Sequence, residues 1–263
     1  MIVAPLCSSS RANASYIGNA SEGVLIDAGC SYKALLKYLS LCSTGIGKVK
    51  AVLITHEHKD HISGLYQLTK NNDIPVYASK GTCEELINGG HVYNENNLFD
   101  ISELCNAPID NDIQAFKTSH DSAESVGYTI TDRSGYKIAY FTDLGGITEE
   151  VRAGTKGADF AFIEANYEPE MLRRNINYPR YIKERIASRR GHLSNHESAE
   201  YILQLIESGT TRIMLGHLSK ENNSPQTAYS CVAAKLSQAG FKLNRDYTLD
   251  IAGVQTGGEY IAV

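Results

Sequence analysis

The thirteen residues from Val52 to Gly64, VLITHEHKDHISG, constrain this chain more than any other stretch. An apolar run that reads as a buried strand stops at Thr55, and His56, His58, Asp60 and His61 follow at once. At an extended strand end His56 and His58 project to the same side, whereas Asp60 and His61 lie past the turn and can face a second ion. One short loop can therefore serve two metals, but it cannot complete either coordination sphere. The missing donors must come from other strand ends. The chain offers His120 after IQAFKTS, Asp143 after KIAYFT and His217 after TRIMLG, each where apolar periodicity stops.

Short β-branched runs alternate with helical patterns along most of the length, which predicts an α/β fold. Strands are expected at 16–19, 23–27, 51–55, 113–118, 126–131, 137–143, 159–165, 212–216 and 247–252. Ser194 and Glu197 form a capping-box pattern opening a helix to about Ser208, with Ala199, Ile202, Leu203 and Ile206 on one face. Pro179 suits the first residue of an earlier helix and Gly191 its terminator. No Pro- or Gly-rich linker divides the chain, so residues 1–263 are expected to form one domain.

At 42% hydrophobic and 21% charged residues the chain can bury a large core, and disorder is excluded. No apolar run reaches the roughly 18 residues needed to cross a bilayer, so no membrane partner is expected. Six scattered cysteines without a CxxC pair, and an N-terminus without a secretory pattern, predict a reduced, cytoplasmic protein.

With the ligand-like residues in place, the chain resembles the metallo-β-lactamase-fold hydrolases, whose motifs match Asp27, the His56–His61 loop, His120, Asp143 and His217 in order. The resemblance implies an αβ/βα sandwich of two mixed sheets with outer helices and a dinuclear site at one edge. It implies that His56, His58 and His120 hold one divalent ion and Asp60, His61 and His217 the other, with Asp143 bridging. Zinc is the default, and manganese or iron is compatible with the donors. Asp27 would fix the tautomer of a ligand imidazole, and Glu164, at a strand end, is expected either to order a neighbouring histidine or to join a structural network. Asp60 and Asp143 would carry the catalysis by a hydroxide bridging the two ions.

Residues 171–190 carry seven basic side chains against one acid, a local charge of +6 in a chain of −5. Such a stripe is the footprint of a polyanion. Arg180 and Lys183 are candidate phosphate contacts, as is Arg11 in the loop Ser8-Ser9-Ser10-Arg11. The stripe runs into Gly191-His192-Leu193-Ser194-Asn195, where Ser194 and Asn195 open a helix whose free N–H groups could seat an anion. His192 could bind a phosphate oxygen or protonate a leaving alkoxide. His91 and His196 read as surface residues.

The segments SHDSAESVGY, FIEANYEPEML, YPRYIKERI and GHLSNHESA are similar to those of the YycJ/WalJ group, described as metal-dependent DNA exonucleases. That resemblance implies a phosphodiesterase or nuclease with DNA as partner. The donors alone also permit a small-molecule hydrolase acting on a cyclic phosphodiester, thioester or lactone. A regulatory module that binds metal without turnover is the third reading, and the complete donor set opposes it. Oligomeric state is not legible.

Overall fold

The computed structural model describes residues 1–253 and 261–262. Strands β1 (Ile2–Ser9), β2 (Ala12–Gly18), β3 (Gly23–Ile26), β4 (Val49–Leu53), β5 (Val76–Ala78) and β6 (Leu98–Asp100) lie side by side in chain order. Ile261–Ala262 adds to the outer edge of β1. Pairing is antiparallel from that edge to β3 and parallel from β3 to β6, a mixed sheet. The second sheet holds β7 (Asp112–Lys117), β8 (Val126–Thr131), β9 (Lys137–Phe141), β10 (Phe160–Glu164), β11 (Arg212–Gly216) and β12 (Thr248–Ile251). It is antiparallel from β7 to β9 and parallel from there to β12.

Alternation along the strands explains the layers. In β3, Val24 and Ile26 enter the core between the sheets while Leu25 enters the core on the opposite face. The inner core joins Val3, Ile17, Ala51 and Leu53 to Tyr128, Tyr140, Phe160 and Phe162. Outside the first sheet, helices α1 (Tyr32–Leu41), α2 (Lys59–Ile62), α3 (Leu65–Asn71) and α4 (Lys80–Asn88) bury Leu35, Leu39, Ile62, Leu65, Leu68 and Leu86. Outside the second, α5 (Glu149–Thr155), α6 (Pro169–Arg174), α7 (Arg180–Ile186), α8 (Asn195–Glu207) and α9 (Pro225–Gln238) follow. Of these, α5, α8 and α9 bury Val151, Ile202, Leu205, Ala228, Val232 and Leu236. This is the expected sandwich of two mixed sheets with outer helices.

The capping box at Ser194 and Glu197 is formed, and α8 ends within a residue of expectation. Its buried face uses Leu205 and Tyr201 in preference to Leu203, which is only partly buried. Two other expectations need correction. Pro179 caps α7 as the residue before the helix, and the helix ends at Ile186, five residues short of Gly191. Gly191 serves close packing instead, since a Cβ there would lie 2.2 Å from the carbonyl oxygens of Arg185 and Ile186. Strands β1, β5 and β6 escape the sequence pattern. In β1 seven consecutive residues are buried, so no alternation marks it, and β5 and β6 have three residues each. All six cysteines are free, and no helix among the described residues is long and apolar enough to cross a membrane.

Candidate active site

Each ligand-like residue sits just past a strand: Asp27 after β3, His56 to His61 after β4, His120 after β7, Asp143 after β9 and His217 after β11. Asp27, Asp143 and His217 adopt the left-handed backbone conformation, with φ of 60°, 60° and 54°. That conformation costs a non-glycine residue about 1 kcal/mol or more. It bends the chain sharply off the strand and aims the side chain across the sheet edge. Local bonds hold these bends: the Asp27 amide donates to the Leu53 carbonyl at 2.9 Å and the His217 amide to Ser8 Oγ at 2.8 Å. Close approach is also built into the backbone. A Cβ on Gly29 would lie 1.7 Å from the Asp60 carbonyl oxygen, so only glycine lets this loop meet the histidine loop.

The structure brings His56, His58, Asp60, His61, His120, Asp143 and His217 together. Donor atoms of His56, His58 and His120 lie within 4.8 Å of one another, as do those of Asp60, His61 and His217. Asp143 lies between them: Oδ2 is 3.3 Å from His61 Nε2, and Oδ1 is 3.6 Å from both His120 Nε2 and His217 Nε2.

Partners behind the imidazoles fix which nitrogen faces inward. His61 Nδ1 is 2.7 Å from Asp27 Oδ2, and Asp27 Oδ1 in turn accepts from the Thr55 amide at 2.8 Å. His56 Nδ1 meets Thr55 Oγ1 at 3.0 Å, and His120 Nδ1 donates to the Gly191 carbonyl at 3.0 Å. His217 Nδ1 faces Glu164 Oε2 at 3.4 Å and Asn166 Nδ2 at 3.3 Å. In these four residues Nε2 is left for the cluster. His58 is the exception, presenting Nδ1 3.3 Å from His120 Nε2. Among the described residues His56 Nε2, His217 Nε2 and Asp143 Oδ2 are buried without a hydrogen-bond partner. Buried polar atoms rarely remain unsatisfied, and imidazole with carboxylate is the donor set of zinc and related divalent ions, so these residues fit such a metal.

Electrostatics point the same way. Burial opposes a charged His61, yet the carboxylates of Asp27, Asp143 and Asp60 outweigh it and hold the imidazole well above its ordinary pKa. His217 is likewise opposed by burial but raised to about 10 by Asp143, Asp60 and Glu164. Asp143 is held well below the carboxylate range, since His217 and His61 overcome its burial. His56, by contrast, is pushed down by burial and by His61. The surrounding carboxylates thus favour the protonated imidazole at both His61 and His217, and a cation entering there must displace those protons. Metal loading should release protons, and affinity should rise with pH up to about 10, where His217 itself loses its proton. Calorimetric titration in buffers of different ionisation enthalpy measures this, and an affinity flat with pH would contradict it.

Glu164 faces two histidines and also takes part in a backbone hydrogen-bond network. Its Oε1 accepts from the Leu144 and Leu193 amides at 2.7 and 2.9 Å, while Oε2 faces His192 Nδ1 at 3.1 Å as well as His217. His192 lies 3.7 Å from Asp143 Oδ1 and lines the cleft over the cluster, a space of about 250 Å³.

The remaining substrate candidates sit elsewhere. The Ser194 hydroxyl donates to Glu197 Oε2 and accepts from the Glu197 amide, while the Ser194 amide also donates to that carboxylate. The chain's own acid thus occupies the expected anion seat. Asn195 is fully buried and spends its side chain on Glu168 and Asn223. Arg180 pairs with Glu184 at 2.6 Å, Lys183 donates to the Arg173 carbonyl at 2.8 Å, and Arg11 lies 3.8 Å from Glu221. None of these five lines the cleft. Sequence reading missed Ser10, Asn166, Tyr178, Ile182, Ile186 and Ser219, which do, and held Arg185 only as one of the stripe's seven cations. It also missed Asn13, a buried side chain 3.3 Å from Asp60 Oδ2. The run YPRYIKERI held part of the signal, because Ile182, Arg185 and Ile186 share one face of a helix.

Residues 23–218 match the family model of the beta-lactamase superfamily domain. The chain is 34% identical over 247 residues to exodeoxyribonuclease YycJ of Bacillus anthracis, covering 93% of this chain and 92% of the relative. It is 31% identical over 246 residues to exodeoxyribonuclease WalJ of Streptococcus pneumoniae, covering 92% and 90%. Zinc-bound PqqB from Methylobacterium extorquens has the same fold, with a TM-score of 0.72 at 17% identity over 100% of both chains. So does the short form of human tRNase Z, with a TM-score of 0.63 at 16% identity over 100% of this chain and 99% of that one. The matching segment spans the very strand tips that gather the histidines and aspartates, and the chain belongs to the beta-lactamase superfamily, within the YycJ/WalJ family, as a metal-dependent, nuclease-like hydrolase.

Proposed function

We propose that the protein is an exonuclease that hydrolyses phosphodiester bonds at DNA ends, using two divalent ions held by His56, His58 and His120 and by Asp60, His61 and His217, with Asp143 shared. One observation carries the two-ion reading: the Asp143 carboxylate is within 3.6 Å of imidazole nitrogens from both donor groups. Full-length likeness to proteins named exodeoxyribonuclease favours DNA. Zinc suits the donors best, with manganese or iron as alternatives.

Divalent ions bound there make coordinated water acidic and neutralise charge developing on phosphoryl oxygens. The chain's residues supply the rest. Asp27, Thr55, Gly191 and Glu164 hold the imidazoles in register, so little reorganisation accompanies reaction. His192, with Nδ1 on Glu164, keeps Nε2 to carry a proton to the leaving oxygen. Ile182 and Ile186 add apolar wall to the cleft.

Metal-reconstituted protein on end-labelled oligonucleotides tests this. The expected result is stepwise shortening of DNA from one end, abolished by a chelator, and slowed as salt rises because a polyanion binds with counterion release. A metal-loaded protein inert on all DNA and RNA forms overturns the nuclease reading. Cleavage of RNA alone overturns the choice of DNA. Hydrolysis confined to small esters, indifferent to salt, favours the small-molecule reading.

A further inference from the structure

On the nuclease reading above, we propose that Arg185 binds the substrate, gripping a backbone phosphate of the nucleic-acid strand in the cleft beside the histidine cluster. Among the seven cations of residues 171–190, Arg185 alone lines this cleft. Arg173 and Arg174 are bound to Glu170 and Arg180 to Glu184, while Lys183 reaches the Arg173 carbonyl. Four of the stripe's cations are thus engaged by partners away from the cleft, and one guanidinium lines it.

That guanidinium is held in place. Its Nε donates to Asp121 Oδ2, and Asp121 follows directly on His120. No hydrogen bond to its two Nη nitrogens is found among the described residues, and these form the fork that takes two phosphate oxygens at once. The side chain is 54% exposed, so a phosphate reaches it without rearranging the core. Asp60 lines the same cleft.

The carrier of Arg185 is stapled to the same strand end as His120. Ser119 Oγ donates to the Arg189 carbonyl at 2.5 Å, Arg190 donates to the His120 carbonyl at 3.4 Å, and His120 Nδ1 donates to the Gly191 carbonyl at 3.0 Å. The segment that follows α7 is therefore joined to the loop that carries His120. Tyr178, Ile182 and Ile186 line the same cleft as Arg185. A cleft lined by a cation, an aromatic ring and two aliphatic side chains suits a strand in which phosphate alternates with sugar and base.

The test compares wild type, Arg185→Ala, Arg185→Lys and Arg245→Ala on one end-labelled oligonucleotide over a salt series. Arg245 is exposed, pairs with Asp246 and does not line the cleft, so its loss controls for net charge alone. For Arg185→Ala the expected result is a KM raised about tenfold or more, kcat within about threefold, and a log–log salt slope shallower by about one. Arg185→Lys keeps the charge without the fork and should restore the salt slope but not the KM. Metal content and thermal unfolding of each variant confirm that the cluster is intact. Wild type that cleaves while Arg185→Ala matches it in KM and salt slope overturns the inference alone. Equal effects of Arg185→Ala and Arg245→Ala overturn it too. Wild type that cleaves no oligonucleotide overturns the nuclease reading, and this inference with it.

Discussion

Replacing Asp143 by alanine is expected to lower kcat/KM by at least about a thousandfold and to cut the bound metal to one equivalent or less. The reason is geometric. One carboxylate lies within 3.7 Å of His61, His120, His192 and His217, so both donor groups lose the same member when it is removed. The effect is electrostatic as well. With the Asp143 charge gone, His61 and His217 lose part of what raises their pKa, while His56 loses the chief attraction offsetting its burial. Asp143→Asn separates these contributions, since it keeps the shape and one oxygen donor but not the charge. Metal analysis by atomic emission alongside single-turnover rates measures both. A variant with full metal content and wild-type rate would remove Asp143 from the site.

The second large effect concerns Glu164, which is buried completely. Glu164→Leu strands the Leu144 and Leu193 amides, and each unsatisfied buried donor costs about 1–3 kcal/mol, so a loss of about 3–5 kcal/mol is expected. The carboxylate's own charge is maintained against burial by His192 and His217, which hold its pKa below the usual range. Its stabilisation is thus present at neutral pH and lost as pH falls through that lowered value. Glu164→Gln can still accept from the two amides but places an NH₂ against two imidazoles, so the fold should largely survive while activity falls about 10- to 100-fold. Thermal unfolding with rates at several pH values distinguishes the two roles. If Glu164→Gln kept wild-type activity and pH profile, the residue would serve the fold alone.

The donors of the cluster were legible because strand-end histidines and aspartates leave a local trace: apolar periodicity stops and a ligand follows, as at His120, Asp143 and His217. The resemblance then ordered them. Residues acting through space leave no such trace. Asn13 reaches Asp60 across 47 positions, and Ser8 holds the His217 amide across 209. The basic stripe was visible as charge but not as direction. Only the position of α7 shows that Arg185 faces the cleft while Arg180 pairs outward with Glu184. Ser194 misled for the opposite reason, because the residue that opens the helix terminus also closes it. Its capping partner Glu197 sits where an anion would bind. The first strand escaped because burial on both faces erases alternation.

The division of the sheets has a consequence for biosynthesis. Residues 2–100 supply all but the outermost pair of the first sheet, and residues 112–251 supply the whole of the second. A ribosome releases these halves in succession. The early half brings His56, His58, Asp60 and His61, an incomplete chelator, while the later half contributes His120, Asp143 and His217. A growing polypeptide consequently cannot gather the full donor set until the last member, His217, has emerged.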